Sequence, residues 1–235
     1  MLLCISALIV TCTVTDDCCC PLQIETESDQ LWVPQKSPAK VHEAYVQRTY
    51  AAVPRFGTVL IVAKQEGANV LTQAAMGEVF DFLEEVQTMR LGGGETFVDV
   101  CQPRGSGQGT ASEACVATGV TRFWHNNATT FRTSVSSDAD VVSAVASTTF
   151  PNGESVYRPD VLAAPMESDG NLTGAALVRV LVLFRGCIEE AGSATCSTRV
   201  PQEAELEFLR LAAKPRQHIT MMRSTQRSVD DELAV

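Results

Sequence analysis

Segments with two different apolar periods alternate along the chain. Residues 57–64 (GTVLIVAK) are a short apolar run rich in β-branched side chains, which predicts a buried strand. In residues 72–91 apolar positions recur every three or four residues, which predicts an amphipathic helix with Thr72 as its N-cap. Residues 95–101 (ETFVDVC) then predict a second strand, reached by a parallel crossover through the helix. The predicted buried face of the helix comprises Met76, Val79, Phe80, Leu83, Val86 and Met89/Arg90.

The same strand–helix–strand order returns in the second half of the chain. Residues 175–185 (AALVRVLVLFR) and 218–225 (HITMMRST) are predicted strands, and residues 201–213 between them are a predicted helix. Two such units that share one four-stranded sheet, with both helices on one face, make a ferredoxin-like α+β sandwich. The interval 102–174 is then a loop-rich insertion with a short helix at 138–148. The predicted inward residues of the second long helix are Leu206, Leu209 and Ala213.

The N-terminal residues 1–15 are apolar and carry no charge before Asp16. This run is shorter than the ~20 residues that cross a bilayer as a helix, and no Lys or Arg precedes it as in a secretory signal. We therefore expect the outer part of a membrane helix that begins before Met1, with a signal peptide or a buried core segment as alternatives. The triple cysteine of Cys18, Cys19 and Cys20 lies where such a helix leaves the membrane, and is open to acylation or oxidation.

Composition narrows the class of protein. The chain has 235 residues, of which 45% are hydrophobic and 20% are charged, so it can bury a large core and is not disordered. Its formal net charge of −10 argues against a nucleic-acid partner, because phosphate binding requires a basic surface.

Four cysteines flank short polar loops. The spacing predicts the disulfides Cys101–Cys115 and Cys187–Cys196, with free thiols as the alternative. A metal site is not expected, because no C-x-x-C occurs and the histidines are scattered. These histidines are His42, His125 and His218.

Two N-glycosylation sequons indicate, as the cysteine spacing does, an extracellular or lumenal location. The triplets NAT and NLT make Asn127 and Asn171 candidate glycan acceptors, and both lie in loop-like sequence. Together with the cysteine spacing, they predict that the residues after about position 20 are extracellular or lumenal.

Residues that would carry catalysis or bind a cofactor are not expected. The sequence has no G-x-S-x-G elbow, and LGGGE lacks the Lys-Ser/Thr of a phosphate-binding loop. Adjacent helix residues diverge, so Glu84 and Glu85 predict a solvated helix face and not an acid–base pair. An enzyme is therefore the minority interpretation, and a pocket that holds His125 or His218 beside a carboxylate would revive it.

Several segments in order resemble one membrane-protein family. LWVPQKSPAKVHEAYVQRTY (31–50), PRFGTVLIVAKQEGANVLT (54–72) and FVDVC (97–101) resemble the first exoplasmic domain of the Patched and Niemann–Pick type C family of permeases. RSTQRSVDDEL (223–233) resembles that family's link into its second membrane helix. The resemblance covers roughly residues 5–125 and 174–233, and it implies sterol or lipid transport or sensing by the intact membrane protein.

The resemblance also implies a domain organisation. Residues 1–15 would be a partial membrane helix, 16–56 a collar with a first helix, 57–225 the exoplasmic porter-type domain and 226–235 the link onward. We expect the reading frame to extend before Met1 and to continue past Val235 into an apolar run of ~20 residues. The family's transmembrane core and any coupling residues lie outside this chain. The alternative is a stand-alone secreted or cell-surface binding domain stabilised by disulfides.

Overall fold

The computed structural model describes residues 54–103, 115–189 and 196–226, together with Pro38. Within these residues the chain has an α+β fold built on an open, five-stranded antiparallel sheet. The predictions for the apolar N-terminus, Cys18 to Cys20, almost all of 16–53 and the residues after 226 lie outside the described residues.

The strands pair in an order that differs from their order in the chain. The sheet runs β2–β4–β1–β7, and β3 pairs with β4 in addition. A separate two-stranded ribbon pairs β5 with β6. The strands are β1 (Arg55–Ala63), β2 (Ala117–Gly119), β3 (Leu162–Ser168), β4 (Asn171–Phe184), β5 (Ile188–Glu189), β6 (Cys196–Ser197) and β7 (Ile219–Thr225).

Five α-helices and two 3₁₀ turns accompany the strands in the described part of the chain. The helices are α1 (Gln73–Gln87), α2 (Phe97–Val100), α3 (Ala128–Ser134), α4 (Asp138–Ala146) and α5 (Arg199–Ala212), and the 3₁₀ turns are Val120–Trp124 and Arg158–Asp160. The predicted strands at 57–64, 175–185 and 218–225 and the predicted helices at 72–91, 138–148 and 201–213 are confirmed to within a few residues, except that β4 begins at Asn171.

Helix α1 forms as its apolar period predicts. The Oγ1 atom of Thr72 accepts a hydrogen bond from the backbone N–H of Ala75, which satisfies one of the free donors of the first turn. Every apolar residue of the predicted inward face is buried, from Met76 to Met89, whereas Arg90 at its end is exposed. Phe80 lies at the centre of this face, where its ring stacks on Phe131 at 4.5 Å between centroids.

The predicted strand at 95–101 is wrong, because Phe97–Val100 is the short helix α2. The backbone N–H and the hydroxyl of Thr96 both donate to the carboxylate of Asp99, at 2.8 and 2.7 Å. This T-x-x-D pair starts a helix, and it overrides the β-propensity of the apolar residues between.

The interval 102–174 contains more regular structure than the predicted loop-rich insertion. It contributes β2 and β3 to the sheet, so the sheet has five strands where four were predicted. Both strands are hard to recognise in the sequence, since β2 has three residues and β3 contains Pro165. At the end of β2, Gly119 has φ 117°, and a Cβ there would lie 2.0 Å from the carbonyl oxygen of Arg179.

The predicted inward face of α5 is wrong by part of a turn. Leu206 is 45% exposed, and the buried stripe contains Phe208 and the charged residue Glu205. Phe208 inserts between Phe82 of α1 and Phe184 of β4, with ring centroids 5.5 and 5.9 Å away. This aromatic contact sets the rotation of the helix about its axis.

The helices and the core lie on one face of the sheet. A Cβ on Gly57 would lie 2.9 Å from the ring of Phe208, so α5 approaches β1 closely on this face. Buried and half-buried residues alternate along β1 and along β4 from Val178 to Phe184, which gives both strands a buried and a half-exposed side. Gly57 faces Val182 across the sheet, so both belong to the buried side.

Candidate functional site

The disulfide Cys101–Cys115 is present in the structure, as the sequence predicts. Both cysteines are buried, and their Cα atoms are 5.6 Å apart. The bridge lies beside the end of β4, because Cys101 forms an isolated β-bridge with Phe184 and its carbonyl accepts from the Nε of Arg185 at 3.1 Å. The disulfide therefore joins the chain after α2 to the chain before β2, beside the central strand β4.

Replacing both Cys101 and Cys115 with alanine is expected to lower the free energy of unfolding by about 3 kcal/mol, because the bridge restricts the unfolded chain. Denaturant unfolding of the variant and the parent, both without reductant, measures the difference. A decrease below about 0.5 kcal/mol would be no larger than that of a typical surface substitution, and would show that the bridge does not stabilise the fold.

The structure describes only one of the two cysteine side chains of the second predicted disulfide. Cys187 is disulfide-bonded. The backbone of Cys196 pairs with that of Glu189 in the β5–β6 ribbon, but its side chain lies outside the described ones. The pairing Cys187–Cys196 stays a prediction.

The two sequon asparagines occupy different environments. Asn171 is exposed at the first position of β4, beside the turn at Asp169 and Gly170. Asn127 is half-buried and caps α3, where its Oδ1 accepts the N–H of Thr130 at 3.0 Å. Neither lies in the hydrophobic core, so both stay candidate acceptors, and Asn171 has the freer side chain.

Glycan occupancy is expected to be higher at Asn171 than at Asn127, because the exposed hairpin leaves more room for the oligosaccharide. In a eukaryotic secretory host, Asn171→Gln should remove one glycan-sized step from the gel mobility, and peptide-N-glycosidase treatment should abolish the difference. Asn127→Gln serves as the matched variant. A glycan at Asn127 with none at Asn171 would contradict the expectation.

A shallow groove of about 530 Å³ lies between α4 and the start of β4. Its lining combines apolar and polar residues, which suits an amphipathic molecule. The apolar lining residues are Ala139, Val142, Ala146 and Leu172, and the polar ones are Asn69, Asp138, Ser143, Asn171 and Thr173. The carboxylate of Asp138 already accepts the N–H of Gln73 at 2.7 Å, so this charge connects α4 to α1.

Asn69 stands between this groove and a second one of about 450 Å³ at the start of α1. Its Oδ1 accepts the N–H groups of Leu71 at 2.9 Å and of Ala175 at 3.0 Å. A Cβ on Gly174 would lie 2.6 Å from the Asn69 carboxamide, so the loop after β1 contacts the β4 backbone directly. An Asn before a helix start is typical of such turns, but the contact of Asn69 with β4 has no signal in the local sequence.

The histidines do not form an acid–base site in the described residues. His218 lines the second groove, and Glu78 lies nearby. The Glu78 carboxylate, however, accepts the backbone N–H groups of Gln217 and His218, at 2.9 and 3.0 Å. His125 is exposed after the first 3₁₀ turn, with φ 56°. Within the residues that the structure describes, no hydrogen bond or ion pair joins either imidazole ring to a carboxylate.

The neighbouring carboxylates of α1 point to different partners, as the sequence predicts. Glu84 forms an ion pair with Arg132 of α3, whereas Glu85 accepts from Lys214 at 2.9 Å and from Arg216 at 3.1 Å. Partial burial acts to raise the pKa of Glu85, but the hydrogen bonds from Lys214 and Arg216 outweigh it, and the pKa is lowered. These carboxylates hold elements together and do not converge on a pocket.

Glu85→Gln is expected to destabilise the fold at neutral pH and to have progressively less effect in acid. Because its pKa is lowered on folding, ionised Glu85 contributes stability above its unfolded pKa, and this contribution is lost as the pH falls through the folded pKa. Denaturant unfolding at about pH 7 and about pH 3.5 tests this. A destabilisation of equal size at both pH values would mean that the charge is not its cause.

A buried ion pair at the start of β1 escaped the sequence analysis. Glu205 of α5 is fully buried and pairs with the guanidinium of Arg55. The Arg55 Nη2 atom also donates to the second carboxylate oxygen at 3.3 Å. The apolar period of α5 gives no indication of it, and the partners are 150 positions apart.

No protein-family model matches the chain, and no curated protein matches it at a significant level. In the described residues, no group of three or more His, Cys, Asp or Glu side chains is placed to hold a metal ion. None of the helices described is both long and apolar enough to span a membrane.

Proposed function

We propose that the chain is an exoplasmic domain of a Patched-like membrane protein, with a ferredoxin-like, porter-type sandwich as its fold. The intact protein would move or sense a sterol or another lipid, and this domain would have no catalytic role. The membrane and the lipid are the partners proposed here, and both come from the resemblance of the sequence segments.

The strand order carries this proposal. Strands β1 and β2 are parallel to each other with β4 between them, and β4 and β7 are parallel with β1 between them. Each pair is connected through a long helix, α1 or α5, so that two strand–helix–strand units interleave. This interleaving supports the proposed ferredoxin-like arrangement, to which β3 adds a fifth strand that pairs with β4. A fold of this kind hosts many functions, so the lipid assignment needs its own support.

The segment that resembles the family has a defined structural role. It runs from Pro54 through β1 to Thr72, the N-cap of α1. Its Asn-Val-Leu-Thr turn is held to β4 by Asn69, which accepts from the backbone of Ala175. This turn thus connects the first strand–helix–strand unit to β4 of the second unit. A structural contact of this kind supports the use of the turn as a marker of the proposed domain type.

The groove between α4 and β4 supports a lipid as ligand. Its volume of about 530 Å³ falls in the range of small-molecule sites, and four of its lining residues, Ala139, Val142, Ala146 and Leu172, are apolar. Its polar lining residues would contact the polar end of an amphipathic lipid. Labelling with a photoactivatable sterol tests this contact, and Val142→Asp should abolish the labelling. Leu206→Asp, at an exposed position of α5, is the matched control and should leave the labelling unchanged.

Membrane fractionation tests the larger proposal. The protein expressed from its complete transcript should stay in the membrane pellet after carbonate extraction, with Asn171 on the exoplasmic side. Release of the protein into the medium would overturn the proposal. It would favour the second candidate, a secreted or cell-surface binding domain, for which the buried Cys101–Cys115 disulfide is the supporting observation.

A further inference from the structure

The sequon at Asn171 and the groove between α4 and β4 occupy the same place in the structure. Asn171 and Thr173, the two residues that define the sequon, are exposed, and both line the groove. Leu172 between them lines it too. Asn127, the acceptor of the other sequon, is not among the residues that line this groove or the second one. An oligosaccharide on Asn171 therefore starts from a wall of the groove.

We propose that an N-linked glycan on Asn171 lies across the groove between α4 and β4 and closes it to large ligands. The inference rests on the proposed exoplasmic location, because this glycan is added to secretory proteins. It deepens the proposed lipid site by adding a regulator, since chains with an unglycosylated Asn171 keep the groove open and chains with the glycan do not. The cover itself does not depend on which molecule the groove binds.

The attachment reaction fixes the first sugar at one atom. The Nδ2 atom of Asn171 forms a bond with the anomeric carbon of an oligosaccharide that a lipid diphosphate carries. The bond between that carbon and the diphosphate oxygen breaks, the lipid diphosphate leaves, and the amide loses one proton. The product is an uncharged amide that carries a bulky, polar chain. The secretory pathway supplies the lipid-linked oligosaccharide, so this protein contributes only the sequon.

The backbone holds the attachment point beside the groove. Asp169 and Gly170 form the turn before it, with φ values of 50° and 76°. Asn171 then pairs with Ser168 as the first residue of β4. Its Nδ2 atom donates to the carbonyl of Asp169 at 3.4 Å, and this nitrogen still carries one N–H after glycosylation. The first sugar thus starts from a paired strand and not from a long loop.

The opposite wall of the groove leaves room for sugar. It is one side of α4, where Ala139, Ser143 and Ala146 recur at intervals of three and four residues. All three side chains are short, and Ala139 and Ser143 are exposed. A sugar tethered this closely has an effective concentration on the order of millimolar, so even a weak contact with α4 holds it over the groove.

Thiol labelling of the full-length chain tests the cover. Ser143, exposed on the α4 wall, is replaced with cysteine, and protein from a eukaryotic secretory host reacts with a bulky, biotin-linked maleimide for increasing times. The tryptic peptide 133–179 contains position 143 and Asn171 and has no other cysteine, since the proline after Arg158 prevents cleavage there. Peptide-N-glycosidase, added after labelling, converts an occupied Asn171 to aspartate. Glycosylated and unglycosylated chains are therefore compared in one sample.

We expect the thiol at position 143 to react several-fold more slowly in chains that carry the glycan on Asn171. Asn171→Gln should give every chain the fast rate. Thr129→Ala is the matched control, because it removes the other sequon, leaves Asn127 in place as the cap of α3, and should not change the rate. Leu206→Cys, at an exposed position of α5 outside the groove, should react equally fast with and without Asn171→Gln.

Equal rates at position 143 in glycosylated and unglycosylated chains would overturn the proposal, and so would an Asn171 that is never occupied. The photoactivatable sterol separates the cover from the lipid site. If both are correct, Asn171→Gln raises the sterol labelling, and equal sterol labelling of the two glycoforms would contradict the regulation. Thiol rates that differ while no chain is labelled by the sterol would support the glycan cover and remove the lipid assignment.

Discussion

Phe80→Ala is expected to lower the free energy of unfolding by about 3–5 kcal/mol. The ring is fully buried at the centre of α1. It stacks on Phe131 and meets the edge of Trp124 at 5.7 Å between centroids, so its removal leaves a cavity between α1, α3 and the 3₁₀ turn before α3. Loss of the aromatic contacts adds to the loss of buried apolar area.

Equilibrium unfolding in urea measures this change, with Leu206→Ala as the matched control. Leu206 is a large apolar residue on α5 but is 45% exposed, so its truncation should cost less than about 1 kcal/mol. If Phe80→Ala cost no more than Leu206→Ala, the face of α1 that contains Phe80 would not be the core.

Glu205→Ala is expected to cost about 3–5 kcal/mol, because it removes one partner of a buried ion pair. Glu205 is fully buried and its carboxylate pairs with Arg55. The remaining guanidinium loses this carboxylate in a site with little access to water, since the Arg55 side chain is only 13% exposed.

Glu203→Ala is the matched control on the same helix, since Glu203 forms an exposed pair with Arg199 and its loss should cost below about 1 kcal/mol. The double variant Arg55→Met with Glu205→Leu should recover most of the stability, because apolar residues replace both charges. Equal unfolding free energies for Glu205→Ala and Glu203→Ala would contradict the role assigned to the pair.

Long periodic segments could be predicted from the sequence, and short or locally capped ones could not. The predicted helix at 72–91 has six inward apolar residues at regular spacing, and all are buried. The error at 95–101 arose because apolar composition was given more weight than the Thr96–Asp99 capping pair, which decides the local structure. The three residues of β2 are too few for any period, and pairing with β4 alone makes them a strand.

In the candidate site, the disulfide between two nearby cysteines could be predicted from the sequence, whereas contacts between residues far apart in the chain could not. The Cys101–Cys115 bridge closes a short loop, so its two ends are close in the sequence as well as in space. The pair of Glu205 and Arg55 has no local signal in the sequence, because its two partners lie 150 positions apart. The grooves beside Asn69 depend on contacts between α4, β4 and the loop after β1, which no single segment reveals.

The strand order has a consequence for the synthesis of the protein. Both neighbours of β1 in the sheet, β4 and β7, are made long after it, since Val62 pairs with Leu177 and Thr58 pairs with Ser224. At about 5–20 residues per second, the roughly 107 residues between β1 (ending at Ala63) and β4 (starting at Asn171) take on the order of 5–21 s to translate. During that interval the apolar strand has emerged from the ribosome without either of its sheet partners, and it is a natural target for chaperones that bind extended hydrophobic segments.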